Sequence, residues 1–170
     1  KQCQSYGTSL YLSTPRIIKN GEMKDIFWLL EEARECSGLL VANMGIIGMA
    51  SEKEIPFVID APLNIFNHHS CSFLKNLGAR RVTASAELTL DELGKIADGC
   101  SGLECIVEGN FEVMVSEYCP LSHTSGRSDS CGEMESVLVD RKGYSFPLKT
   151  DEHCRMHLLN SRGLSMLDYL

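Results

Sequence analysis

The sequence predicts an α/β fold, the later half of a (β/α)8 TIM-type barrel with about five parallel strands and crossover helices, followed by an irregular cysteine-bearing segment with a short β-hairpin. Three observations predict it. Apolar runs rich in β-branched residues recur at Ser9 to Leu12, Leu39 to Ala42, Phe57 to Ile59, Arg81 to Thr83 and Leu103 to Val107. Helical patterns separate most of them, and parallel strands require such crossovers. Polar side chains then follow each run, where a barrel's strands open onto a common mouth.

Between the first two runs, Ile26, Phe27, Leu29, Leu30 and Ala33 read as one face of a helix that stops near Gly38. Asn67 is placed to cap a helix with Cys71, Leu74 and Leu77 inward, ended by Gly78. Thr89-Leu90-Asp91-Glu92 reads as a capping box opening a helix with Leu90, Leu93, Ile96 and Ala97 inward until Gly99. Periodicity alone leaves an open doubly wound sheet as the alternative, although no G-x-G-x-x-G or Walker-type loop supports one. Five strands are too few to close a barrel, so the barrel reading needs strands from outside this chain. Residues 1–115 are expected to form the partial barrel and 116–170 the cysteine-bearing segment. In that segment, Ser116 to Ser136 reads as a polar excursion and Ser136 to Asp140 with Tyr144 to Leu148 as a hairpin around Arg141-Lys142-Gly143. A helix capped by Asp151 is expected through His157, and a last helical turn over Leu164 to Leu170.

The 170 residues are 44% hydrophobic and 23% charged, enough apolar content to bury a core. A net charge of -7 with no long basic run argues against a module that binds nucleic acid by itself. RNA as a substrate then requires positive surface from elsewhere. No apolar stretch nears the roughly 20 residues that cross a bilayer, and Lys1-Gln2-Cys3-Gln4 is no signal peptide. A cytoplasmic protein without membrane association is expected. The first residue is not Met, which points to a piece of a longer protein. The eight cysteines contain no C-x-x-C, so most are expected to be reduced thiols, with Cys36, Cys71, Cys100 and Cys105 in or beside the core.

The mouth candidates are Thr14, Arg16, Asn43, Asp60, Asn64, Asn67, Ser85, Glu87, Glu108, Asn110 and Glu117. Converging carboxylates raise one another's pKa, which general acid–base chemistry near neutral pH requires. Asp60 and Glu87 are weighed against capping or ion pairing, and Asn64 and Asn67 against turn and capping roles. Cys119, Cys131 and Cys154, with His123, His153 and His157 close in sequence, form the second constellation. Three thiolates and one further ligand suit zinc or an iron–sulfur cluster, and free cysteines in a loop are the alternative. On a helix, His157 would stand at i+3 to Cys154 as a base for a nucleophile.

The stretches EGNFEVMVSEYCPLSH (Glu108 to His123) and VDRKGYSFPLKTDEHCRMHLLNS (Val139 to Ser161) resemble the collagenase-like peptidase family U32. So do STPRI (Ser13 to Ile17), GLLVANMG (Gly38 to Gly45), IDAPLNIFN (Ile59 to Asn67) and ARRVTASAELTLDEL (Ala79 to Leu93), so the resemblance covers nearly the whole chain. It implies a barrel whose first strands precede Lys1, and an enzyme. Under the peptidase label, the better-understood members look like hydroxylases of nucleic-acid bases or of a quinone precursor, dependent on an iron–sulfur cluster held by four cysteines. Cys119, Cys131 and Cys154 match three of the four, and Cys131-Gly132-Glu133-Met134-Glu135 lacks the remaining thiol. Ala86 stands where the family often has Pro, and Glu108 where a His-Gly pair is common. The resemblance carries over Asp60, Asn64, Glu87 and Glu117 as catalytic; of the other mouth candidates, Arg16, Asn43 and Asn67 are expected to bind a cofactor. It leaves zinc as the alternative metal and a metal- or carboxylate-dependent peptidase as the alternative activity. A non-catalytic half barrel that binds a partner is the third reading. The expected partners are the rest of the barrel, a second chain in a homo- or heterodimer, and RNA or a small molecule as substrate.

Overall fold

A computed structural model describes residues 2–121 and 136–169. The chain divides into two compact units, Lys1–Ile106 and Val107–Leu170.

The first unit alternates helices and strands: α1 (Gln2–Ser5), β1 (Tyr11–Ser13), α2 (Met23–Ala33), β2 (Gly38–Val41), α3 (Met44–Glu52), β3 (Phe57–Ile59), α4 (His68–Asn76), β4 (Val82–Thr83), α5 (Leu90–Ala97) and β5 (Leu103–Glu104). Its five strands pair in the order β1-β2-β3-β4-β5, every pair parallel. A doubly wound sheet reverses its strand order at a switch point. This sheet does not reverse, which is compatible with a segment of a barrel, and it is not closed.

The register assigns the two faces. Leu12, Leu39, Phe57, Ile59, Val82 and Leu103 lie on one face, in register with one another, and pack with Ile26, Leu30, Ile46, Ala50, Cys71, Leu74 and Ile96 of the helices as the core. Each fully buried Leu or Ile in it contributes roughly 1.5–3 kcal/mol. The opposite face carries Tyr11, Ser13, Leu40, Thr83 and Glu104. There Arg81 pairs with Glu104 and its guanidinium lies 5.3 Å from the Tyr11 ring centre. Tyr11 and Arg81 belong to strand lines three places apart, ~14 Å across a flat sheet. Side chains stand roughly perpendicular to a sheet, so their meeting is compatible with a sheet that curls toward this polar face.

The helix faces are narrower than the sequence predicts. Phe27, Leu77 and Leu90 are exposed, as is Ala97, leaving Ile26, Leu30 and Ala33 of α2, Cys71 and Leu74 of α4, and Ile96 of α5 fully buried. Helices on one side of an open sheet bury one stripe, and their flanks find no neighbour. Gly38 does not cap α2, which ends at Ala33. It opens β2 at φ +139, where an added Cβ would sit 2.1 Å from the Pro56 carbonyl oxygen.

Most of the described cysteines are free thiols, as expected, but two points need correction. Cys71 and Cys100 are buried but joined in a disulfide, not reduced. Cys36 is only half-buried and Cys105 is exposed, because both lie at the ends of elements outside the packed stripe.

In the second unit, β6 (Glu108–Gly109) pairs with β11 (Leu164–Ser165). The strands β7 (Glu112–Ser116), β8 (Ser136–Val139), β9 (Ser145–Thr150) and β10 (Met156–Leu159) form an antiparallel sheet in the order β7-β10-β9-β8. The β8–β9 hairpin is the expected one. Asp140 Oδ1 accepts the amides of Lys142 and Tyr144, and Gly143 takes φ +84. The helix expected from Asp151 to His157 is instead a turn followed by β10. Asp151 does accept nearby amides, those of His153 and Arg155, but the same bonds close a turn. Cys154 at φ 59 then redirects the chain into a strand that is hydrogen-bonded on both sides. The expected terminal helix is β11 and a 3-10 turn over Leu167–Tyr169. Cys131 and His123 lie outside the described residues. Among the described residues no helix is long and apolar enough to cross a membrane.

Candidate functional site

Since all strands of the first unit run in parallel, the residues that follow them lie along one rim. Thr14, after β1, is buried, donates its amide to the Leu40 carbonyl and accepts the Ala42 amide at Oγ1, 3.0 Å away. Asn43, after β2, caps α3 by accepting the Gly45 amide at 2.9 Å and donates Nδ2 to the carbonyl of Arg16 at 3.1 Å. This ties the exposed Arg16 loop to the α3 cap.

Asp60, after β3, opens a 3-10 turn over Ala61–Leu63 and accepts the Ala61 amide at Oδ1, 2.8 Å away. It is half-buried. Burial pushes its carboxyl above the ordinary carboxylate range, and the Ala61 hydrogen bond only partly opposes that. Asn64 ends the turn in the left-handed region at φ 52, a conformation Asn tolerates better than most residues. The chain then touches the sheet again through a parallel bridge between Ile65 and Ala84. Asn67 caps α4 by accepting the Ser70 amide at 2.9 Å. After β4, buried Ser85 donates its amide to the Ile65 carbonyl, and its hydroxyl accepts the Glu87 amide at 3.4 Å, while the Glu87 side chain is exposed.

The rim thus gathers Thr14, Arg16, Asn43, Asp60, Asn64, Asn67, Ser85 and Glu87. Of these, Thr14, Asn43 and Asn67 hold backbone in place. Asp60 and Glu87 are its carboxylates.

The remaining expected site residues belong to the second unit. Glu117 follows β7 and accepts Arg155 Nε at 3.0 Å. Arg155 is 2% exposed and has a second carboxylate partner, Asp151, with Nη1 to Oδ2 at 3.5 Å. His157 lies between Glu112, at Nδ1, and Asp151, whose Oδ2 is 3.5 Å from Nε2. Among the described residues no hydrogen bond satisfies that buried nitrogen. Burial alone would raise the Asp151 carboxyl, but the amides of Arg155 and His153, the His157 ring and the Arg155 charge outweigh it and hold its pKa below the ordinary range. No local pattern in the sequence marks Arg155, Asp151 and Glu112 as a cluster, because their meeting depends on strand register. The one legible signal is the period-two spacing of Arg155 and His157.

The pairing of Ser116 with Met156 brings the segment after β7 and the segment before β10 to the same end of the ribbon. Cys119, buried, and Cys154, half-buried, are therefore at that end. Among the described residues no three His, Cys, Asp or Glu side chains are grouped to hold a metal ion. Of the three cysteines expected to form a constellation, Cys119 and Cys154 are described and Cys131 is not.

Residues 1–170 match the family model described as Peptidase family U32. No solved structure matches the chain.

Proposed function

Because the chain belongs to peptidase family U32, we propose that it is the later half of a barrel enzyme whose chemistry occurs at the rim of the parallel sheet. Asp60 is the proton-transferring carboxyl, and Asn64 and Glu87 orient the substrate. The observation that carries this reading is the half-buried Asp60, raised above the ordinary carboxylate range, at the end of the central strand. A carboxyl so raised exchanges its proton nearer neutral pH. The Ala61 amide holds Oδ1, so proton transfer falls to Oδ2.

The favoured activity is an iron–sulfur-dependent hydroxylation of an RNA base or a small aromatic or quinone precursor. Cys119, Cys154 and Cys131 would hold the cluster, which supplies electron transfer when bound. Arg16, Asn43 and Asn67 line the rim for a cofactor or substrate, and Glu117, paired with Arg155, is the candidate carboxylate of the second unit. Zinc is the alternative metal. The remaining barrel strands would be added at β1, beside which Trp28 is 64% exposed and a 470 Å³ hollow is lined by Leu10, Leu12, Trp28 and Cys36 together with Glu32 and Glu35. Protein purified without oxygen should be brown and carry iron by elemental analysis, and Cys119→Ser or Cys154→Ser should lose it. Colourless, iron-free protein would remove the hydroxylase reading.

The family description favours a second reading, hydrolysis of a peptide bond with a rim carboxylate as general base. Gelatin cleavage abolished by Glu87→Gln and Asp60→Asn is expected if it holds. Cleavage unaffected by both would exclude this mechanism. Metal-free chains that dimerise as concentration rises, with neither activity, would mark a partner-binding half barrel.

A further inference from the structure

Parallel strands covered on both faces read as unbroken apolar runs, and β4 and β5 depart from that rule on one face only. Their core face carries Val82 and Leu103, while the opposite face carries Arg81, Thr83 and Glu104. The side chains of the Arg81–Glu104 pair are 41% and 36% exposed, and an ion pair so open to water adds little to stability. Stability therefore does not account for these charges. Local rules broken without a gain in stability mark functional sites.

Register brings the pair level with the rim. Ile59 pairs with Val82, and Thr83 with Glu104. Asp60 continues β3 in extended backbone, at φ -90 and ψ 157, and donates its amide to the Val41 carbonyl as the next rung of the ladder. Because Ile59 packs in the core, alternation turns Asp60 to the opposite face, beside Thr83. Asp60 and Glu104 thus flank Thr83 on either side, with about 9–10 Å between their backbones.

Both oxygens of Glu104 have a neighbour. Oε1 accepts Nε of Arg81, and Oε2 lies 3.5 Å from the hydroxyl of Thr83, which is buried. The Tyr11 ring lies against the guanidinium in turn. Arg81 balances the charge of Glu104, whereas burial and the Ala61 amide act on Asp60. A carboxyl that exchanges its proton and a carboxylate paired with a cation form a donor and an acceptor on one face.

We propose that Glu104 is the second carboxylate of the rim site, that Arg81 is its positioning residue, and that a neutral polar group of the substrate binds between Glu104 and Asp60. That group donates an N–H or O–H to Glu104 and offers an oxygen to Asp60. The ligand in this assignment rests on the rim being the reaction site, and the placement of Glu104 does not.

Carboxyl carbon NMR of the full chain, with Asp60→Asn identifying the Asp60 resonance, reads the placement. Charges about 9–10 Å apart across a half-buried face couple by about half a pH unit. Glu104→Gln leaves the Arg81 charge unbalanced and should lower the Asp60 midpoint by that amount. Arg81→Gln should raise it, and Arg81→Lys, which keeps the charge, should restore it. The other charged side chains of the rim, Arg16 and Glu87, are exposed, so Arg16→Gln and Glu87→Gln should move it less. Where gelatin is cleaved, Glu104→Gln should raise KM by ~10-fold with kcat changed by less than ~2-fold. An Asp60 midpoint unmoved by both Glu104→Gln and Arg81→Gln would overturn the proposal, as would an unchanged KM in an active chain. Should Arg81→Gln not fold, Glu104→Gln decides alone. A shifted midpoint in a chain with no activity keeps Glu104 beside Asp60 and removes the activities proposed for the rim.

Discussion

The carboxyl of Asp60 opposes folding when ionised, since burial raises its pKa in the folded chain. The folded state keeps that proton to higher pH than the unfolded state, so stability falls as pH rises from roughly 4 through the raised value. Asp60→Asn should therefore raise Tm at neutral pH and converge with the parent near pH 4, while abolishing turnover, as thermal melts across pH and activity assays will show. Asp151 has the opposite sign. Held below its ordinary value, it stabilises fully above the unfolded pKa, roughly 4, and that contribution is lost as pH falls through the lowered folded value. Acid titration of Asp151→Asn should show a flatter acid limb. Arg155, 2% exposed between Glu117 and Asp151, should cost about 3 kcal/mol when replaced by Ala, because a buried pair loses one partner. Half-exposed Glu117 should cost about 1 kcal/mol as Gln, and urea titrations of both variants separate the two values. Asp60, Asn64 and Asn67 were legible as residues that follow a strand or start a helix. The Arg155 cluster was not, because Arg155, Asp151 and Glu117 flank strands whose register no local pattern encodes.

Elements obeyed the sequence where one face had one neighbour. The capping box of α5, with Thr89 and Glu92 exchanging bonds, formed as read, because both partners lie within one turn. The Asp151 signal failed because a side chain that accepts amides two and four residues on serves a turn as well as a helix. Helix α3 had no clear apolar pattern in a segment with Gly45 and Gly48, yet Asn43 caps it and Ile46, Ile47 and Ala50 bury it. Tertiary packing overrode weak propensity there. At Gly38, the close approach to Pro56 and φ +139 exclude a side chain. Gly38→Ala should destabilise the chain by roughly 3 kcal/mol or more, measured as a lower urea midpoint with an unchanged slope.

For the whole molecule, alternation of strands and helices announced the parallel sheet, whereas its strand order did not follow from periodicity. Order emerges from which edges each crossover reaches, a property of the packed layers. The second unit was legible only in its hairpin, since distant strands such as β7 and β10 pair across a long separation. The net charge of -7 leads to a further expectation. Fluorescence anisotropy should find RNA binding by this chain weaker than ~10⁻⁴ M at physiological salt. A tighter constant would show that local positive surface outweighs the overall charge.

The unreversed strand order has a consequence for how such a protein can change. Any strand appended at either end of the sheet by a right-handed crossover delivers its trailing loop to the side where Asp60 already sits. New recognition loops can therefore accumulate around that carboxyl one repeat at a time, while the apolar layer beneath the helices stays as it is.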